Sequence, residues 1–211
     1  MAEEFLAEIK EAKEKSKKRK FSQSWDLIIN LKNINLKIPE NKLNHDLSLP
    51  EGRGKESKVL FIVDALYGEA KKTGSFIILK DEIDKLGKDR KKLKKYADEY
   101  DFWFCEAPLM PLVGKSLGIV LGPRGKMPRP IPPKGNLIPF IEMSKRVIKI
   151  RTKESPVIHT AIGTEDMKEE QIMKNVIAVM NFVKEKLPKG GSNIKGAYIK
   201  LTMGKPVKLK V

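Results

Sequence analysis

Gly114-Lys115-Ser116 ends the way a phosphate-binding loop ends, but that loop needs an earlier glycine where the chain has Leu109. Gly125-Lys126 fails twice: Val120 stands at the required glycine, and Met127 stands where a hydroxyl would hold magnesium. Two histidines remain for acid–base work. His45 reads as part of a polar loop, and His159 follows Val157-Ile158 on a strand-like stretch, facing either a ligand or solvent. One histidine at each of two separated places gives no metal spacing, and no carboxylate cluster supplements them. The single cysteine, Cys105, excludes an internal disulfide and a multi-thiolate zinc site, and its setting in Phe102-Trp103-Phe104 reads as an inert core thiol. The expectation is a non-enzyme with no metal and no cofactor; a nucleotide-using α/β enzyme is the weaker alternative.

Cations offer more. The 43 Lys+Arg against 27 Asp+Glu leave a net charge of +16, a field that attracts polyanions. Cations exceed acids in residues 1–57, 58–150 and 151–211 alike, so the surplus belongs to folded segments rather than to a tail. No apolar run is long enough to span a bilayer, and the opening MAEEFLAEIK lacks signal-peptide order, so a cytoplasmic protein with no membrane partner is expected. Three stretches combine cations with special backbone chemistry. Lys20-Phe21-Ser22 closes a basic cluster, its aromatic able to lie against a sugar or base or equally to staple into the core. Leu121–Pro130 sets Arg124, Lys126 and Arg129 among glycines and prolines, predicting a shaped loop, with a solvated surface turn as the competing reading. Thr202-Met203-Gly204 supplies a hydroxyl, a flexible apolar side chain and a glycine that admits close backbone approach, suited to RNA shape recognition or to an ordinary hairpin.

The positioning elements follow from periodicity. Phe5, Leu6, Ile9 and Ala12 form a helical stripe, and Trp25, Leu27, Ile29 and Leu31 alternate as a half-buried strand. A short strand is expected near Leu47-Ser48-Leu49 before the turn formers Pro50–Gly54. From Lys58 the pattern becomes strand, helix, strand: Val59–Val63 and Phe76–Leu79 are continuous apolar runs expected to be covered on both faces, with Phe102–Phe104 and Val147–Ile150 extending the series. Beyond Arg151–Pro156 come a strand at Val157–Ile162, a long helix starting at Asp166 with Ile172, Val176, Val179, Val183 and Leu187 as its buried stripe, and strands at Ile194–Thr202 and Val207–Val211. The outer pieces hold too little apolar surface to stand alone. The expected fold is therefore α+β and α/β: a discontinuous two-domain protein in which residues 1–57 and 157–211 form a split α+β domain, and residues 58–156 an inserted Rossmann-like three-layer α/β domain. Two chain crossings side by side predict a hinge.

Lys18–Ser22, Leu121–Pro128 and Ser192–Gly204, in that order and across essentially the whole chain, resemble the first-numbered protein family of the large ribosomal subunit, which sits at the base of the mobile stalk; the short lead before Lys18 is similar to its archaeal members. The Lys/Glu-rich composition is compatible with a heat-adapted source. The resemblance implies a ribosome-associated protein binding the stalk helices of large-subunit rRNA near the exit site. It implies a principal contact through Lys20, Phe21, His159, Gly163, Thr202, Met203 and Gly204, with Arg124, Lys126 and Arg129 as secondary candidates. It further implies repression of translation through binding its own messenger RNA, action on release of deacylated tRNA, and a monomer when free. A basic, nonspecific nucleic-acid binder is the third reading, separable by a steeper salt dependence and little RNA preference.

Overall fold

The computed structural model describes residues 2–38, 41–133 and 136–210. The chain divides into two compact units, one made of Met1–Lys55 with Lys145–Val211, the other of Glu56–Ser144.

The first unit is built on an antiparallel sheet. Strand β1 (Ser24–Leu31) runs centrally between β8 (Val157–Thr164) and β9 (Ile194–Leu201), with β10 (Val207–Leu209) outside β9. Alternation in β1 buries Trp25, Leu27, Ile29 and Leu31 and leaves the intervening side chains half-buried. Helices α1 (Ala2–Glu14) and α7 (Glu169–Lys186) share a core with that buried face. The stripes expected from sequence do this work: Phe5, Ile9 and Ala12 from α1, and Ile172, Val176, Val179, Val183 and Leu187 from the second helix and its cap. Helix α7 begins at Glu169 rather than Asp166. Gln171 Oε1 accepts the Lys168 N–H at 3.1 Å, and Asp166 Oδ2 instead accepts a hydrogen bond from the Ser22 hydroxyl at 2.5 Å. Asn175, wholly buried in the apolar stripe, donates to the carbonyls of Gly52 (2.9 Å) and Ile162 (2.8 Å) and accepts from the Glu51 N–H at 3.2 Å, fastening the 50–54 turn to β8.

Two expectations for the strands are corrected. Val147–Arg151 (β7) does not extend the parallel series; it pairs antiparallel with β2 (Asn44–Ser48), and Ile148 and Ile150 enter the first unit's core. The chain thus rejoins the first unit at Lys145, ahead of 157. His45 stands on β2, edge-on to the Phe182 ring at 6.0 Å, rather than in a loop. Val211, placed in the last strand by sequence, lies outside the described residues.

The second unit has a parallel sheet in the order β4-β3-β5-β6, with β3 (Val59–Val63), β4 (Phe76–Leu79), β5 (Phe102–Glu106) and β6 (Arg129–Ile131). Alternate residues part to two cores. Leu60, Ile62, Trp103 and Cys105 meet α3 (Lys80–Lys88), α4 (Arg90–Glu99) and α5 (Met110–Arg124). Val59, Phe61, Val63 and Phe104 meet α2 (Tyr67–Lys72) and the Leu137, Phe140 and Ile141 side chains around the start of α6 (Ile138–Arg146). This is a three-layer α/β arrangement. Strand β4 is an edge, so Phe76 and Leu79 are exposed instead of covered on both faces. The expected loop at 121–130 is also different. Val113, Leu117 and Leu121 recur every fourth residue and drive a helix through Gly114, Gly118 and Gly122 to Arg124. Gly125, at φ +67°, closes it, with Gly125 N–H on the Gly122 carbonyl (2.9 Å) and Lys126 N–H on that of Leu121 (3.0 Å).

Candidate nucleic-acid interface

Three segments distant in sequence meet at the end of the first unit's sheet where β1 begins and β9 ends. Trp25 stands in register with both Gly163 and Leu201. One residue earlier, the Ser24 carbonyl accepts the Thr202 N–H (3.0 Å) and hydroxyl (3.1 Å), while the Ser24 N–H reaches Thr202 Oγ1 at 3.2 Å. Gly204 N–H closes the turn on the Leu201 carbonyl at 2.8 Å. A Cβ at Gly204 would lie 3.2 Å from Ser16 Oγ and 3.3 Å from Leu201 Cβ, so a larger residue would push the turn off the segment that carries the basic cluster.

Gln23 holds the three segments together. Its side chain is buried; Oε1 accepts the Met203 N–H at 3.1 Å, and Nε2 faces Ser16 Oγ (3.4 Å), the Lys17 carbonyl (3.5 Å) and Glu165 Oε2 (3.4 Å). The Glu165 N–H donates back to the Gln23 carbonyl at 2.8 Å. A buried primary amide with every polar atom engaged is rigid, because each lost partner would leave a desolvated group. Around this bracket Lys20, Phe21 (55% exposed) and Met203 (59% exposed) are exposed, as are Lys17, Lys18, Arg19, Ser22 and Thr202. Phe21 is therefore no core staple. Cations, an aromatic ring and a flexible thioether on a fixed backbone can hold phosphates while apolar groups lie against sugar or base.

Gly163 and His159 occupy different situations. Gly163 is buried, and a Cβ there would come within 2.4 Å of Ile172 Cδ1 and 2.9 Å of Met167 Sδ, so a larger residue would have to displace the ends of both side chains. His159 is exposed and pairs with Ile28 on the sheet face opposite the helices, about 13 Å along β8 from Gly163 at roughly 3.3 Å per residue. It shares that face with Asp26 and Lys200. Burial pushes the Asp26 carboxyl up from its usual range, and the charges of Lys200 and His159 draw it part of the way back. The structure thus gathers Lys20, Phe21, Thr202, Met203 and Gly204, supports them with Gly163, and sets His159 further along the open face.

The three candidate cations of the second unit all have partners within it. Lys126 Nζ donates to the carbonyls of Ala97 (2.6 Å) and Tyr100 (2.9 Å), capping the C-terminal end of α4. Arg124 reaches the Lys94 carbonyl at 3.4 Å and Asp98 at 3.6 Å, and Arg129 lies over the Phe102 ring at 5.0 Å. At the carboxyl ends of β3 and β5, where folds of this kind commonly receive phosphate, the buried Glu106 carboxylate takes the N–H groups of Asp64 (3.0 Å), Ala65 (3.4 Å) and Leu66 (2.8 Å). Cys105 is buried and its thiol is pushed up to about 12 by burial, with Glu106 adding to the effect. Among the described residues there is no group of three or more His, Cys, Asp or Glu able to hold a metal ion, and no helix long and apolar enough to cross a membrane.

Gln23 and Glu165 were missed in the sequence. A polar residue next to a strand start carries no local sign that it will be buried, and its partners lie 142 and 180 positions away.

An α+β unit with a cationic and apolar patch at one sheet end is joined in one chain to a three-layer α/β unit whose anion cradle is filled by its own Glu106, which makes the chain a basic scaffold. Residues 12–205 match the Ribosomal protein L1p/L10e family, and the chain belongs to that family. It is 46% identical to a protein named large ribosomal subunit protein uL1 from Methanothermococcus thermolithotrophicus, covering 99% of this chain and 98% of that one. Proteins of the same name from Methanothermobacter thermautotrophicus (44% identical; 99% of this chain, 100% of the relative) and Thermococcus kodakarensis (44%; 96% and 94%) are similar over comparable lengths.

Proposed function

We propose that the chain is a structural protein of the large ribosomal subunit that binds rRNA of the stalk helices near the exit site, with the unit formed by both termini as the main RNA-binding domain. The observation that carries this reading is the convergence of Lys20, Phe21, Thr202, Met203 and Gly204 around the buried Gln23 bracket. Membership of a ribosomal protein family supports the ribosomal role. A preformed patch suits a folded RNA, since little ordering accompanies binding. His159 is proposed as an outlying contact on the open sheet face and Gly163 as the packing residue that keeps the site's floor flat. Arg124, Lys126 and Arg129 serve first to fix α4 and β5, and any RNA contact of theirs is secondary.

The same surface is proposed to bind the chain's own messenger where it copies the ribosomal shape, repressing translation, with rRNA the tighter ligand. Proximity to the exit site would give the protein a part in release of deacylated tRNA. The free protein is proposed to be a cytoplasmic monomer that becomes ribosome-associated. Titration of a stalk-helix transcript against an unrelated duplex tests the central reading: binding should persist at about 0.2 M salt, where nonspecific contacts made by 6–10 phosphates have weakened about 10³-fold or more from 50 mM. Equal affinity for both RNAs at that salt would leave only a nonspecific polyanion binder.

A further inference from the structure

The second unit carries a cavity of about 470 Å³ between the edge strand β4, the end of α3 and the start of α4. We propose that this cavity is a stacking site for one unpaired nucleobase of single-stranded RNA, with guanine preferred. The site is separate from the patch on the first unit and does not rest on that reading.

Three features fit a base. The floor is aromatic: Phe76 is 39% exposed and packs on Tyr96 (5.2 Å between centroids) and Tyr100 (5.4 Å), so its ring is held in place while one side stays open. Stacking on such a fixed ring is the sequence-tolerant part of single-strand binding. The rim is cationic: Lys85 and Lys92 line the opening, and Lys92 Nζ stands 5.8 Å from the Tyr96 centroid. Helix α4 continues the positive charge with exposed Lys91 and Lys95, a track for the flanking phosphates. The remaining wall is acidic. Glu82 Oε2 accepts the Leu79 N–H at 3.3 Å and Asp89 Oδ1 the Lys92 N–H at 3.1 Å, so each carboxylate is fixed through one oxygen and these bonds leave the other oxygen over.

Carboxylates repel phosphate, so the phosphate belongs at the lysine rim and the base inside. The Watson–Crick edge of guanine presents two adjacent N–H donors, which a carboxylate accepts as a pair; adenine and uracil offer no such pair. The volume suits a small ligand rather than a folded chain. An extended peptide added to the β4 edge is the competing occupant, and it would need neither the aromatic floor nor a base.

The test uses the full-length chain carrying Met203→Asp, which disables the patch proposed above. Binding of the pentanucleotide UUGUU is followed by anisotropy and by backbone amide shifts. UUGUU should bind about tenfold more tightly than UUAUU, and UUAUU in turn about tenfold more tightly than the same strand abasic at its centre, with shifts at Ile77, Ile78, Asp89 and Tyr96. Phe76→Ala should remove the advantage of both strands over the abasic one. Glu82→Gln, exposed and compatible with the fold, should abolish the guanine preference while leaving stacking intact, which keeps the test decisive if Phe76→Ala proves unstable. Equal binding of the abasic strand, or a guanine preference untouched by Glu82→Gln, overturns the proposal. Loss of stalk-helix binding by Met203→Asp is read independently, so the two proposals stand or fall separately.

Discussion

Met203→Asp is the sharpest probe of the first unit's patch, because the Met203 hydrogen bond to Gln23 is made by its backbone N–H and the residue is 59% exposed. Full burial of a methionine contributes about 1.5–3 kcal/mol, so covering the exposed part with RNA contributes roughly 1–2 kcal/mol. A carboxylate in its place adds repulsion from a nearby phosphate of about 1 kcal/mol at water-like screening. The sum, about 2–3 kcal/mol, corresponds to roughly a 30- to 150-fold loss of affinity. Calorimetric titration of a stalk-helix fragment at fixed salt reads it, with Met203→Leu as the apolar control expected within about tenfold of the parent. The melting temperature should hardly move. Thr202→Ala is a poorer probe, since its hydroxyl also bonds the Ser24 backbone and the fold would change with the surface. Binding of Met203→Asp within threefold of the parent would refute the reasoning, and so would a melting temperature falling in step with affinity.

Gly163→Ala should destabilise the first unit by about 1–3 kcal/mol through collision with Ile172 Cδ1. Adding Ile172→Val should recover part of that loss, a non-additivity that denaturant titrations of the four chains would measure. Asp26→Asn should raise stability at neutral pH, because the folded state holds an ionised carboxylate that burial disfavours. The folded pKa lies above the unfolded one, so the parent gains stability as pH falls through the folded value toward 3.8; the advantage of the Asp26→Asn variant should close over that interval in thermal melts across pH. Cys105 should stay unreactive to a thiol reagent at pH 8 in the native protein and react at once in denaturant; rapid native labelling would contradict its burial.

Strand β1 and helix α7 were legible because each repeats its apolar residues at the period of the element it forms. Val147–Arg151 was legible as a strand but not as a partner of β2, since a short apolar run says nothing of which distant edge it joins. Helix α5 was misread at its end because Gly122, Pro123 and Gly125 look like a loop locally, and only the burial of Val113, Leu117 and Leu121 overrides their low propensity. Of the candidate site, Phe21 and Met203 could be named from residue type and resemblance. The Gln23 bracket could not, because a polar side chain becomes structural only when three distant segments meet around it.

Glu106 gives the second unit an unusual independence. A cradle of backbone N–H groups that could have waited for a diffusing anion is corked by a side chain of its own strand, so the unit's shape does not hinge on whether metabolites are scarce or plentiful. A part built into a large assembly benefits from that indifference: it arrives finished. One substitution, Glu106→Ala, would leave the Asp64, Ala65 and Leu66 N–H groups without that acceptor.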